Sequence, residues 1–418
     1  MKIGLLGQFG SGNSGNDGSL EAMVRFLRRA HPDAEIIAIC SRPAVVAAAL
    51  GVQTTGISAG VPAGSAFALF NKLLVGAPQR FLNLAEAFRK VRGLDWMIVP
   101  GTGILDDFRD TPFGWPFVLW RWCAAARLNG VNIAFANIGA GPIRHPLSRL
   151  LLTSAARMAR YRSYRDRISR EFMASVGLDV GKDTVVPDIA FTLPTPQPQA
   201  VAPRRSLTVG IGVMSYRGWL RRSGVGEHIY EAYLSKLARF ALILLQRGYH
   251  LRLLTGDVAD WAAVEDFLKH LHGLSPERFQ TRISAERAQS LAELMEQLQD
   301  VDLVVATRFH NVVCALKLGL PTISLSYADK NNVLLAECGL GEFHQHVETF
   351  DVDRLEAQFG RLVADRELFA RRVRMSVAAF ADQLALQETV LSAMLARNPR
   401  DAKRVDALAH LTTASPKA

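Results

Sequence analysis

ATRFHNVVCALKLGLPTISLSY, residues 306–327, reads as the end of one strand, a short helix and a second strand. Just upstream, AQSLAELMEQLQDVDLVVAT (288–307) runs from a helix into the first of those strands. Strand, crossover helix and strand in close succession predict a parallel sheet covered by helices. Arg308 and His310 stand where the chain leaves the first strand, in otherwise apolar surroundings. Thr307 is a natural helix N-cap, which would put Arg308 to His310 in the first helical turn. A cation there opposes the helix dipole, and ligands gather at the carboxyl ends of such strands. The Arg-x-His pair therefore suggests that an anion is expected nearby.

The same alternation extends in both directions. LTVGIGVM (207–214) and YHLRLLTG (249–256) read as strands on either side of the helix EAYLSKLARFALILLQRG (231–248). Before them, LPTPQPQAVAPRR (193–205) holds four prolines and fits neither a helix nor a central strand. In the first half, KIGLLG, AEIIAICS, DWMIVPG and VNIAFANIGAG are strand-like, and GSLEAMVRFLRRAH and LSRLLLTSAARMARYR are helical. The expected organisation is an α/β domain over 1–193, a linker over 194–205, a second α/β domain over 206–397 and a polar tail over 398–418. With 418 residues, two domains are also what length alone suggests.

Hydrophobic residues make up 49% and charged residues 21%, the balance of a soluble globular protein, and no run is long and apolar enough for a spanning helix. MKIGLLGQFG reads as a first strand entering a loop rather than a signal peptide. Cys40, Cys123, Cys314 and Cys338 are scattered without metal-ligand spacing, which predicts reduced core thiols, no metal site and a cytoplasmic protein. The net charge of +10 suits an anionic substrate or an acidic membrane surface. Nucleic acid is disfavoured, because the basic residues are dispersed and carry no aromatic-basic signature.

Several strand ends carry special-backbone residues. GQFGSGNSGNDGSLEA (7–22) offers either backbone N–H groups to an anion or sugar, or a tight turn with Asp17 and Ser19 near a helix start. In VPGTGILDDF (99–108), Gly101 and Gly103 permit close backbone approach, and Asp106 and Asp107 are either a base and a cap or both helix-start residues. NIGAGPI (137–143) and VVPDIAF (185–191) end strands too, with Asp188 read mainly as an acceptor for backbone donors. In YRSYRDRIS (161–169), Arg165 is either paired with Asp166 at the surface or aimed at an anionic ligand.

Taken in order, these segments resemble the polysaccharide pyruvyl transferase family over about residues 2–345. The family's G-x-x-G-x-x-N-x-G-D-E-A loop falls on Gly7, Gly10, Asn13 and Gly15, with Asn16, Asp17 and Gly18 in place of its last three residues. Its G-G-G-x-L-x-x-D segment resembles PGTGILDD, ending on Asp107, and its R-D-x-x-S motif falls on Arg165, Asp166 and Ser169. GPI (141–143) and PDIAFTL (187–193) look like intervening segments. R-x-H-x-x-x-x-A-x-x-x-G-x-P falls on Arg308, His310, Ala315, Gly319 and Pro321 and continues into Tyr327 and Lys330.

The resemblance implies two Rossmann-like domains facing a cleft in a glycosyltransferase-B-like arrangement. It also implies transfer of a pyruvyl group from phosphoenolpyruvate to a sugar of a bacterial polysaccharide, giving a cyclic ketal. Arg165 and Arg308 would then hold the donor and His310 would move protons. We add the expectation that Asp107 activates or orients an acceptor hydroxyl. Gly10, Asn13, Gly15, Asp17, Gly101, Gly103, Thr307, Tyr327 and Lys330 are expected to line substrate. No cofactor is called for beyond phosphoenolpyruvate as donor.

Two other readings fit the same fold. One is a nucleotide-sugar glycosyltransferase with an acidic residue such as Glu337 near a ribose, and the other a non-catalytic sugar-binding protein. A lipid-linked acceptor would bring the chain to the cytoplasmic face of the inner membrane. FGWPFVLWRWCAAARLNG (113–130) or SAFALFNKLLVGAPQRFLNLAEAFRKVR (65–92) could rest there, although the simpler reading of the aromatic stretch is core.

Overall fold

The apolar runs of the first half become strands of one sheet. Strand β1 (Lys2–Leu6), helix α1 (Ser14–Ala30), β2 (Glu35–Cys40), α2 (Pro43–Leu50) and β3 (Gln53–Gly56) come first. They are followed by α3 (Ser65–Leu73), α4 (Ala77–Lys90), β4 (Trp96–Pro100) and α5 (Trp115–Leu128). Then come β5 (Asn132–Ile138), α6 (Pro146–Arg157), β6 (Tyr161–Tyr164), α7 (Arg167–Ser175) and β7 (Thr184–Val185). The strand order is β3-β2-β1-β4-β5-β6-β7, and every pairing is parallel. Strand β4 is buried along its whole length, as a parallel strand covered on both faces must be. The structure is a computed structural model and describes residues 1–60, 65–74, 76–108, 110–197, 206–218, 224–274 and 279–396.

The second half repeats the scheme with β8 (Thr208–Gly212), α8 (Val225–Gln246), β9 (His250–Leu254), α9 (Trp261–Leu274), β10 (Ile283–Ala285) and α10 (Leu291–Leu298). It continues with β11 (Leu303–Ala306), α11 (Phe309–Lys317), β12 (Thr322–Ser326), α12 (Lys330–Glu337), β13 (His344–His346), α13 (Val352–Ala364) and α14 (Arg366–Leu395). Its order is β10-β9-β8-β11-β12-β13, again all parallel. Both sheets have the Rossmann order. Each reverses direction once, between β1 and β4 and between β8 and β11, and ligands of such sheets bind outside the strand ends at that reversal.

The compact units do not follow the expected division of the chain. One unit contains Met1–Ser11, Ser19–Ile189 and α14 from Ala385 onward; the other contains Gly12–Gly18 and Ala190–Leu384. Hydrogen bonds explain both departures. Ser14 N–H donates to the Gly256 carbonyl (3.3 Å) and Val258 N–H to that of Gly12 (3.0 Å), which ties the early loop to the second unit. Gln387 donates to Ser163 Oγ (2.6 Å) and Tyr161 Oη (3.1 Å), and Arg29 pairs with Glu388, which ties the end of α14 to the first. Residues 198–205 of the expected linker and the tail 398–418 lie outside the described residues.

Helix α1 also begins earlier than expected. Asn13 Oδ1 accepts the N–H groups of Gly15 and Asn16, both at 3.1 Å, so Asn13 is its cap and the glycine-asparagine run is its first turn. In the aromatic stretch, Trp115 and Trp122 belong to the core, while Phe113 is exposed. All four cysteines are buried and none forms a disulfide.

Candidate functional site

In the second unit the chain leaves β11 at the sheet's reversal point and turns into α11. The cap is Arg308, in extended conformation (φ −72°, ψ 135°), with no side-chain capping bond. This corrects the expected role of Thr307. Its hydroxyl is fully buried and engaged by Tyr233 Oη at 3.1 Å, so the chain stays extended one residue further. Burial pushes the Tyr233 pKa up to about 12, so the phenol stays neutral and available as a donor.

Arg308 has its counter-ion within the chain. Nε and Nη2 donate to the two oxygens of Asp260, both at 2.7 Å, and Asp260 is completely buried. Asp257 Oδ2 lies 3.8 Å from Nη2. Burial alone would lower the Arg308 pKa, but the attraction and hydrogen bonds of Asp260 outweigh it and raise it. The anion implied by a cation at this helix start is thus met first by Asp260. The bidentate pair fixes the guanidinium plane and leaves Nη1 without a hydrogen bond among the described residues.

Two residues from the far end of the chain complete this site. The Asn13 amide donates to Asp257 Oδ2 (3.3 Å), and Asp257 Oδ1 accepts the N–H of Ala259 (3.0 Å). Burial holds the Asp257 pKa above the usual carboxylate range, against the pull of Arg308. Gly15 lies against His310 so closely that an added Cβ would fall 2.0 Å from Nδ1, and only glycine fits there. Phe309 meets the same imidazole edge-on at 5.3 Å. Asn311, fully buried behind Arg308, has no hydrogen bond on either end of its amide among the described residues. Gly212 and Gly256 leave the room for it, since a Cβ on either would approach its amide within 2.9 Å.

Tyr327 and Lys330 join the cluster. Tyr327 stacks on Tyr216 at 5.7 Å and contributes to the field at Arg308. The Lys330 ammonium stands 5.1 Å from the Tyr327 ring and 5.6 Å from that of Phe309. Asp17 lies in the first turn of α1, where a carboxylate suits the dipole. Gly10 (φ 71°) is not brought here; it packs in the first unit against Arg42 and Val46. Glu337 is exposed at the end of α12.

The first unit has its own cluster beyond β4, β5 and β6. Arg165 is only 6% exposed and donates from Nη1 to Asp188 at 3.1 Å. Its pairing with Asp166 (3.8 Å) is therefore in the interior rather than at the surface, and Asp166 also caps α7 through the N–H of Ser169 at 2.7 Å. The guanidinium lies against Gly103 and Gly139, and a Cβ on Gly139 would fall 2.6 Å from Nη2. Gly101 (φ 44°) accepts a hydrogen bond from Ser19 Oγ at 2.8 Å, and Ile189 leaves no room for a side chain on it.

Asp106 and Asp107 start no helix, because α5 begins only at Trp115. Asp107 is buried and its two oxygens accept the N–H groups of Arg144 (3.0 Å) and His145 (2.9 Å). Its geometry is that of a loop anchor rather than an open base. Among the described residues no group of three His, Cys, Asp or Glu side chains is placed to hold a metal ion.

Asp257 and Asp260 were missed in the sequence. Their signal is a pair of acids in TGDVAD (255–260), just past the carboxyl end of the strand beside β8.

A family model described as polysaccharide pyruvyl transferase matches residues 13–329. Among solved structures, the chain is similar to UDP-GlcNAc 2-epimerase from Methanocaldococcus jannaschii, at 11% identity and TM-score 0.56 over 86% of this chain and 92% of that one. It is similar to UDP-GlcNAc 2-epimerase from Neisseria meningitidis bound to UDP-GlcNAc, at 10% identity and TM-score 0.54 over 92% and 100%. A glycosyltransferase from Rickettsia africae matches at 11% identity and TM-score 0.57 over 95% and 99%. At these identities the likeness shows the fold alone, two Rossmann-like α/β units of the glycosyltransferase-B class. No curated protein matches the chain.

Proposed function

The chain belongs to the polysaccharide pyruvyl transferase family, and we propose that it moves a pyruvyl group from phosphoenolpyruvate to a sugar, forming a cyclic ketal. The observation that carries this reading is the Arg308–His310 site, with its guanidinium fixed by Asp260 and its imidazole backed by Gly15. Phosphoenolpyruvate is a compact polyanion. Nη1 of Arg308 and the ammonium of Lys330 are suited to its carboxylate and phosphate.

In the proposed reaction His310 protonates the methylene carbon, and one acceptor hydroxyl adds to the adjacent carbon. The C–O bond to phosphate breaks, and a second hydroxyl closes the ring. Of the two hydroxyl protons, one restores the histidine and the other leaves with phosphate. An imidazole, with two ring nitrogens that can each carry or release a proton, is suited to both giving and taking one. Arg165 is assigned a donor contact on the strength of its family motif. Asp107 is assigned a positioning role, because it holds the loop that leads into α6. The acceptor, free or lipid-linked, belongs to a bacterial polysaccharide made in the cytoplasm.

Thermal stabilisation by phosphoenolpyruvate and, separately, by uridine diphosphate tests the reading in wild type and in Arg308→Ala. A shift with phosphoenolpyruvate that disappears in Arg308→Ala supports it. A shift with uridine diphosphate alone would replace it with nucleotide-sugar chemistry. His310→Ala should keep the shift and lose turnover.

A further inference from the structure

Helices α3 and α4 form a hairpin whose tip is apolar and exposed. Leu69 and Leu73, one turn apart on α3, are 60% and 70% exposed, and Phe81 on α4 is 73% exposed. Leu74 and Leu82 are exposed as well. Helix α4 turns Asn83 and Ala87 inward. At about 100° per residue, Phe81 therefore points away from that buried side. Gly76, in left-handed conformation (φ 78°), reverses the chain between the two helices. Side chains of this size standing out from a turn are the reverse of what a solvated hairpin needs.

Cations flank the tip. Lys72 and Arg80 have no acidic partner among the described residues, and the Arg80 guanidinium stands 4.0 Å over the ring of Phe113. Phe113, 51% exposed, begins an aromatic row: it meets Phe117 at 6.3 Å, and Phe117 stacks on Trp120 at 5.9 Å. Between 65 and 92 the basic residues are Lys72, Arg80, Arg89, Lys90 and Arg92; the lone acid, Glu86, is already paired with Arg89 and Lys90.

We propose that this hairpin tip is a docking surface for an anionic lipid bilayer. Leu73, Phe81 and Phe113 enter the interface, and Lys72 and Arg80 lie at the level of the headgroup phosphates. Charge selects this occupant over a second copy of the chain. A copy carries the same basic flank and the same net charge of +10, whereas an anionic bilayer supplies both an apolar layer and the opposite charge. No helix among the described residues is long and apolar enough to cross a membrane, so the contact is peripheral.

The test is flotation of the purified full chain with vesicles of phosphatidylcholine and phosphatidylglycerol, against vesicles of phosphatidylcholine alone. Wild type should float with the anionic vesicles at low salt and lose binding as salt rises. Leu73→Asp with Phe81→Asp should weaken binding about tenfold or more. Lys72→Gln with Arg80→Gln should weaken it about fivefold per cation removed. Leu73, Phe81 and Lys72 are exposed and Arg80 is half-buried with its guanidinium over Phe113, so unfolding temperatures should stay near that of wild type, and the charge pair keeps the test valid if the aspartate pair does not fold. The proposal falls if wild type ignores anionic vesicles at low salt, or if both variants float undiminished. It also falls if wild type is a dimer that the aspartate pair converts to monomer, because a second copy then covers the patch. No donor or acceptor is present in the assay, so its outcome is independent of the pyruvyl-transfer reading.

Discussion

Gly15 and His310, nearly three hundred positions apart in the chain, touch: a Cβ on Gly15 would lie 2.0 Å from Nδ1 of the imidazole. In Gly15→Ala either the ring or the first turn of α1 has to shift. Displacing a proton-transfer group by about 1 Å costs on the order of 100-fold in rate. We expect turnover to fall by that factor while protection by phosphoenolpyruvate, which is assigned to Arg308, changes little. Steady-state rates beside ligand-induced shifts in unfolding temperature separate the two, and an unimpaired rate would count against His310 as the proton carrier.

Asp260→Ala removes the buried counter-ion of Arg308 and should cost about 3–5 kcal/mol of stability in denaturant unfolding. Removing both charges, as Asp260→Ala with Arg308→Met, should recover much of that loss, because no uncompensated cation remains. If the double substitution is as unstable as the single, the ion pair is not what holds this region.

Burial raises the pKa of Asp257. A carboxyl whose pKa is higher folded than unfolded binds its proton more tightly in the folded chain. Stability is therefore lost as pH rises from the unfolded value through the folded one. The unfolding temperature of Asp257→Asn relative to wild type should climb across that acidic window and then level off. A relative stability that falls with rising pH would mean that Arg308 and Asn13 outweigh burial at this carboxylate.

Arg121 is buried in α5 and, among the described residues, donates to the Ile57 carbonyl (2.7 Å) and Ser58 Oγ (3.0 Å). Lacking an acidic partner among the described residues, it is held by burial at a pKa of about 10, below the arginine norm. Trp122 Nε1 also donates to the Ile57 carbonyl at 3.1 Å, so that acceptor stays satisfied without the guanidinium. Arg121→Met should be neutral or stabilising by up to about 2 kcal/mol in thermal unfolding. A large loss would show that the arginine has a charged partner.

Much of the fold was legible because parallel strands buried on both faces are short apolar runs, and strand ends followed by glycine are conspicuous. WMIVP became β4, and the quoted segment became β11, α11 and β12. Arg308 and His310 were legible for the same reason, as polar residues at the end of such a run. The partners were not. Asp260 reaches Arg308 only because β9 and β11 flank β8 on opposite sides, and nothing local in GDVADW specifies that neighbourhood. Thr307 was misread as a cap because a short polar residue before a helix has that propensity, whereas here Tyr233 claims its hydroxyl. Asn13, the actual cap of the early helix, was hidden in a run where several residues could serve equally well.

The chain passes between its two compact units at residues 11/12, 18/19, 189/190 and 384/385. Neither unit is thus a continuous piece of polypeptide, and a fragment of the second half alone lacks the seven residues that back His310. During synthesis the first turn of α1 is made long before its partner imidazole, residue 310. Until then Gly15 lacks the imidazole it packs against, and Asn13 must wait for Asp257, 244 positions away. Contacts over such sequence separations form late and slowly. A nascent chain stopped anywhere before residue 310 therefore holds the first turn of α1 without the imidazole it packs against, and that pairing can form only once His310 has been made.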